Sequence, residues 1–150
     1  MQLEDKIRTL AATDATLMSF FGTGPFRWFG PRIPPGYLKI GNTCLRMKRI
    51  SSVYGYTNSP PGLMNLNQPR FQFDILDFDA STTRAAAEAV INWFDTVSFA
   101  ETNDFDSPPS SPPHSPNFLL NRRASEEPQI EPPGPAWVVI LDYRIFNLEN

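Results

Sequence analysis

Between Arg70 and Asp77 the chain alternates: Phe71, Phe73 and Ile75 are apolar, Gln72 and Asp74 polar. That two-residue period predicts a strand over 69–78 with one buried face. Asp79-Ala80-Ser81-Thr82 follows and supplies oxygens that can cap a helix. Ala85, Ala86, Ala89, Val90, Trp93 and Phe94 then recur at helical spacing, which predicts a helix over 81–96. Near the start, Leu3, Ile7 and Leu10 share one helical face, with Glu4, Asp5, Lys6 and Arg8 on others, giving a helix of about three turns. Asp14 is placed to cap a second, short helix bearing Leu17, Met18 and Phe21, and Gly22-Thr23-Gly24-Pro25 stops it.

The other strands read less cleanly. Thr43 to Ser52 alternates, with Leu45 and Met47 on one side and Arg46 and Lys48 on the other, so one face is basic. Val53-Tyr54-Gly55-Tyr56 extends this strand or opens a bent second segment, before a turn at Asn58-Ser59-Pro60-Pro61-Gly62. Phe118, Leu119 and Leu120 start a strand that continues through Arg122 and Arg123. The final strand is Ala136 to Phe146, with Trp137, Val139, Leu141, Tyr143 and Ile145 on one face and Val138 and Ile140 on the other. A strand apolar on both faces is central or covered twice. The order helix, helix, strand, strand, helix, strand, strand predicts an α+β fold: an antiparallel sheet of about four strands with helices packed on one face.

With 150 residues the chain suits a single domain, 1–150. Its 16 prolines fall mostly in 25–35 and 108–135, so they describe loops rather than a disordered whole. The run Ser107 to Pro116 favours extended polyproline conformations, which makes 98–135 a Pro/Ser-rich insertion or arm. In 25–42, prolines forbid regular structure, yet Phe26, Trp28, Phe29, Ile33 and Tyr37 are too apolar for a free linker. They pack on the protein's own core or form a partner surface. Cys44 is the single cysteine, so no internal disulfide forms. The apolar runs are too short to span a bilayer, and Glu4 and Asp5 do not fit a Lys/Arg-led signal segment. The expectations are synthesis in the cytosol and no membrane partner.

Catalytic chemistry finds little support. His114, the single histidine, lies in the Pro/Ser run without an orienting partner or a shielded pocket. Cys44 has Arg46 and Lys48 nearby in sequence, which would depress a thiol pKa, but no histidine base accompanies it. Asp74, Asp77 and Asp79 cluster at a strand end, too few ligands for a firm cation site. Gly22-Thr23-Gly24 lacks the strand, helix and lysine of a phosphate loop. Arg46, Lys48, Arg49, Tyr54 and Tyr56 match the basic, aromatic composition of single-stranded nucleic-acid sites. No enzyme activity and no cofactor are expected.

Charge adds a division that hydropathy does not show. Although the net charge is −3, no acid occurs from Ala15 to Phe73, where Arg27, Arg32, Lys39, Arg46, Lys48, Arg49 and Arg70 lie. From Asp74 to Asp106 the sign inverts, with Arg84 the single base. Such a split marks a surface for a charged partner, or neutralises itself inside one monomer.

These residues resemble a family. Phe20-Phe21-Gly22 closing a helix pair, Arg32-Ile33-Pro34-Pro35 before a basic strand, RFQFDILDFDASTTRAAAEAV and the closing VVILDYRIF are similar to the tail-completion proteins of long-tailed phages, the tail terminators and tail-to-head joining proteins. The resemblance spans most of the chain except 98–135. It implies a structural virion protein, made in the host cytoplasm, that forms a hexameric ring at the head-proximal end of the tail tube. The implied partners are other copies, the tail tube protein and a head connector or stopper protein, with DNA only passing through the lumen. A ring needs a heterologous interface. Its candidate residues are Phe26, Arg27, Trp28, Phe29, Arg32, Arg46, Lys48 and Arg49 on the basic and aromatic side, and Asp74, Asp77, Asp79, Asp104 and Asp106 on the acidic side. The alternatives are a head-side stopper or adaptor of the neck, and a monomeric nucleic-acid-binding module using strand 43–52.

Overall fold

The computed structural model describes residues 3–51, 54–56, 65–67, 69–97, 117–127, 135–145 and 147–149. Three helices and a five-stranded sheet carry the core. The strands are β1 (Trp28–Phe29), β2 (Cys44–Ser51), β5 (Arg70–Asp77), β6 (Asn117–Glu127) and β7 (Ala136–Ile145), in spatial order β1-β2-β5-β7-β6. All neighbours are antiparallel except β1, which pairs parallel with β2. The fold is thus α+β, as the pattern predicts, but the sheet is mixed and one strand larger. The added strand, β1, spans two residues between Pro25 and Pro31, too short to show a period. A second, small sheet joins β3 (Tyr54–Tyr56), β4 (Asn65–Asn67) and β8 (Asn147–Glu149). Tyr54–Tyr56 is therefore a separate strand, not a continuation of β2.

Register explains why the alternation buries one face. Leu45, Ile75 and Val139 stand abreast across β2, β5 and β7, and so do Met47, Phe73 and Leu141. All six are buried in one cluster with Leu3, Ile7 and Ala11 of α1 (Leu3–Ala11), Leu17 and Phe21 of α2 (Ala15–Phe21), and Ala86, Ala87, Val90, Trp93 and Phe94 of α3 (Ala80–Phe94). The helices therefore lie on a single face of the sheet. Small alanines let α3 approach, and Phe94 fills the gap with ring centroids 5.0 Å from Phe73 and 4.4 Å from Tyr143.

The helix ends follow the capping residues. Asp14 accepts the Leu17 N–H at 3.0 Å, and Asp79 accepts the Thr82 N–H at 2.9 Å. Gly22 ends α2 with φ +83°, a backbone conformation that favours glycine, and the Arg27 guanidinium packs close against its Cα. At the other end of α3, the Asn117 side-chain amide donates to the carbonyls of Phe94 (3.1 Å) and Val97 (2.8 Å). The first residue of β6 thus binds the helix end directly, and the chain leaves at Val97 and returns at Asn117 in contact with itself.

One expectation needs correction and one gains detail. Trp137 shares the helix-facing side of β7 with Val139, Leu141, Tyr143 and Ile145, as the alternation predicts, but it is not buried there. It is 37% exposed in a cleft of about 140 Å³ beside Ala80 and Thr83, where the first turn of α3 leaves the strand start uncovered. The strand after the Pro/Ser run is longer than expected, reaching Glu127, because it pairs with β7 along its length around one irregularity at Leu120. The expected turn at 58–62, the arm at 98–116 and His114 lie outside the described residues.

Trp28 is wholly buried and makes ring contacts to Phe21, Phe26, Phe73 and Trp93. Replacing Trp28 by Ala is expected to lower the unfolding free energy by about 3–5 kcal/mol in a urea titration. Trp28→Phe should cost clearly less, because the indole Nε1 is buried without a hydrogen-bond partner and its loss strands nothing. A loss below about 1 kcal/mol for the alanine variant would place Trp28 outside the cooperative core. Because Val97 and Asn117 touch, replacing Ser107–Pro116 with a Gly-Ser link should leave the unfolding free energy within about 0.5 kcal/mol of the parent. Loss of cooperative unfolding would mean that the segment belongs to the core.

Candidate subunit interface

The aromatic loop divides between the two faces of the sheet. Phe26 and Trp28 point inward and stack, with centroids 5.8 Å apart and planes 14° apart. Both are buried, so they are core and not contact residues, a correction to the interface expected of this loop. The reason is geometric: the Leu45 N–H donates to the Arg27 carbonyl at 2.9 Å, and this pairing turns Trp28 onto the helical side. Phe29 takes the opposite side and meets Tyr37 at 5.0 Å. Arg32 and Lys39 remain exposed in the loop beyond.

The acids are also divided. Asp74 is fully buried, yet its Oδ2 lies 2.6 Å from Arg46 Nε, and its Oδ1 accepts from Gln72 Nε2 at 2.8 Å. Arg46 and Asp74 are direct cross-strand partners, so the bond is set by sheet register. Asp77 accepts the Thr43 hydroxyl at 2.6 Å and the Asp79 N–H at 2.8 Å. Asp79 is exposed but serves as the cap of α3, and its two bonds from Thr82 hold its carboxyl below the usual range. Asp74 and Asp77 are therefore internal groups, unavailable to a neighbouring subunit, and Arg46 is largely spent on Asp74. Asp104 and Asp106 lie outside the described residues. Arg49 bonds Glu4 of α1 at 2.8 Å and lies 5.3 Å over the Phe71 ring, so it ties the sheet to a helix. Of the basic strand, Lys48 remains on the outer face without an ion pair among the described residues.

Arg27 shows why a base in this loop need not be a contact. Its Nε donates to the Thr43 carbonyl at 2.9 Å and a terminal nitrogen donates to the Phe20 carbonyl at 3.1 Å. It borders a cavity of about 630 Å³ at one end of the sheet, lined also by Phe20, Ile40, Thr43, Asp77 and Asp79. The polar groups facing this space already bond within the chain. Among the described residues no cluster of three His, Cys, Asp or Glu side chains has the arrangement of a metal site. Cys44 lies near the same end, buried, with its Sγ donating to the Tyr37 carbonyl at 3.5 Å. Burial pushes its thiol up to about 11, against the opposing pull of Arg27. A thiol held neutral is inert as a nucleophile.

Sequence reasoning missed two tethers. Arg70 meets Asp142 at 3.4 Å across β5 and β7, and the Arg8 guanidinium donates to the Trp28 carbonyl at 2.9 Å. The first is visible only once the strand order is known. The second joins residues 20 apart, with no periodic signal between them.

Comparison with protein-family models and with curated proteins returns no match. Among solved structures, the fold is similar to a chain in the virion of a native gene transfer agent particle, with a TM-score of 0.55 and 15% identity. The likeness covers 96% of this chain and 93% of that one. At this identity it is the fold that is shared.

The two outer cations of β2 should behave differently. Arg46→Gln leaves the buried Asp74 carboxylate without its cation and is expected to cost about 3 kcal/mol in urea unfolding. Lys48→Gln should stay within about 0.5 kcal/mol. Equal losses would mean that Asp74 does not depend on Arg46. Burial holds the Cys44 thiol up at about 11. Iodoacetamide should therefore alkylate the native protein at pH 8 at least about a hundredfold more slowly than the urea-unfolded chain. Similar rates would show the thiol to be open.

Proposed function

We propose that this protein is a structural component of a phage-like particle, a tail terminator that forms a ring, hexameric, at the head-proximal end of the tail tube. There it stops tube growth and joins the tail to the head connector. The observation that carries this reading is the likeness of almost the whole chain to a chain of a virion particle. The resemblance of its helix pair, loop, strand–helix segment and closing strand to tail-completion proteins points the same way. The internal chemistry agrees with a structural role. Asp74, Asp77, Arg27 and Arg46 are all engaged within the chain, holding the sheet and its loops rather than facing a substrate.

Purified protein added to polymerising tail tube protein tests this. The expected result is arrest: mean tube length falls as the protein is added, and negative-stain images show a ring on one end of each tube. Unchanged tube lengths, with no density at tube ends, would refute the terminator role. Binding to isolated head connectors but not to tube ends would assign the protein to the head side of the joint.

A further inference from the structure

The two edges of the large sheet are built differently. One ends in β1, two residues between Pro25 and Pro31, the short, proline-flanked form that blocks further pairing. The other is β6, 11 residues without a proline. It stands last in the sheet order, beside β7. On its far side, alternate residues therefore point N–H and C=O groups at no strand among the described residues. Every residue from Phe118 to Glu126 is exposed. Phe118, Leu119 and Leu120 are large and apolar, and 54%, 40% and 43% exposed. A long open edge of this kind recruits another strand unless something prevents it.

Charges on an edge usually keep other strands away. Here their order does the opposite. β6 reads Arg122-Arg123-Ala124-Ser125-Glu126, bases first and an acid last. Set antiparallel to a second copy of itself, such a strand meets its own complement. The pleat fixes where a two-fold axis passes. An axis normal to the sheet keeps each face on its own side, so opposed residues must share a face, and the axis must fall on a residue. Arg122, Ala124 and Glu126 stand opposite Leu141, Val139 and Trp137 of β7 and thus share the helical side. With the axis on Ala124, Arg122 of each copy opposes Glu126 of the other, Arg123 opposes Ser125, and Ala124 opposes itself without crowding. An axis on Arg122, Arg123 or Glu126 sets like charge against like, and one on Leu119 crosses the irregularity at Leu120. Glu126 forms no ion pair among the described residues. Arg122 bonds Glu88 of its own α3 in a pair open to water on both sides, so its guanidinium can bridge the two acids.

A second observation falls at the same place. Ala124, Ser125 and Glu126 line the cleft of about 140 Å³ that holds the partly exposed Trp137. Trp137 and Glu126 are cross-strand partners, so the incoming Arg122 continues their row. A strand added at Ala124 thus borders the cleft that α3 leaves open.

We propose that β6 is a self-complementary docking strand, through which two copies of this chain join edge to edge, antiparallel, about a two-fold axis at Ala124. Charge order argues for β6 of a second copy as the occupant. The opposite edge of the sheet offers Lys48 and Arg49 of β2, bases that would meet Arg122 and Arg123 in a head-to-tail continuation. The contact is isologous and closes at two copies. It is therefore separate from a ring contact and does not rest on the terminator reading.

Disulfide cross-linking and sedimentation velocity test it. Leu119→Cys, Ala124→Cys and Ser125→Cys are oxidised separately, with the buried Cys44 left in place. Ala124→Cys is expected to give a covalent dimer fastest. No such dimer, or a faster one through Leu119→Cys or Ser125→Cys, overturns the proposed axis. In sedimentation velocity the wild-type protein should show a monomer–dimer equilibrium that weakens as salt rises. Glu126→Arg sets arginine against arginine twice in each contact and should weaken dimerisation at least roughly tenfold. Exchanging all three signs, with Arg122→Glu, Glu126→Arg and Glu88→Arg, keeps the internal pair and the pairs between copies, and should restore it. A native circular dichroism spectrum and melting transition verify that each variant folds. Unchanged dimerisation in Glu126→Arg, or none recovered in the triple variant, overturns the pairing. So does a wild-type protein that stays monomeric at every concentration and salt. Cross-linking of Ala124→Cys to tube protein in that case would give the edge to that partner instead.

Discussion

Everything in the core converges on the indole of Trp28. It touches Phe21 at the end of α2, Phe73 in the middle strand and Trp93 near the end of α3, and it stacks on Phe26. Its carbonyl accepts from Arg8 of α1. A residue on a two-residue strand thereby ties three helices to the sheet. The parallel pairing of Trp28 with Leu45 holds it there, and Gly22 turns the chain out of α2 so that the pairing can be reached. Without that turn and pairing, a loop with four prolines would have no reason to enter the core. Aromatic pairs at these spacings add to plain area burial, so the site is stabilised by contacts that a single smaller residue cannot replace.

α2, α3 and β5 were legible because each has a periodic face and a clear boundary. Phe71-Gln72-Phe73-Asp74-Ile75 alternates and lies between helix side and outer side as it must. Asp14 and Asp79 cap the helices that their positions announce. What was not legible lacks a period. Trp28–Phe29 is too short for one, and Asn65–Asn67 and Asn147–Glu149 consist of one leucine between polar residues. Their strand character comes from pairing with each other, which only the tertiary fold supplies. Trp137 shows a different limit: its parity is right, but burial also needs a helix above it, and only the first turn of α3 lies beside it.

The candidate surface was half legible. Charge along the chain showed two blocks of opposite sign, but not that sheet register would set Arg46 against Asp74 inside one molecule. Blocks far apart in sequence become cross-strand neighbours when a hairpin-like pairing joins them, so part of the split is internal neutralisation. Asp74 and Asp142 are buried on the outer face, and each needs a cation close by because an isolated buried carboxylate is costly. Arg46 and Arg70 meet that need. Other cations of this face, Lys48, Arg123 and Arg144, form no ion pair among the described residues.

That distinction separates the charges that hold the fold from those free to hold something else. A charge required by a buried partner sits where the register places it, and its replacement disturbs the monomer. One without a partner is exposed to water, contributes little to folding, and creates a potential outside the protein. On this chain Lys48, Arg123 and Arg144 form no ion pair among the described residues and lie on the side of the sheet opposite the helices, while Arg84 stands exposed on the helical side. A single layer of helices on one face of a sheet necessarily gives a molecule with two unlike sides.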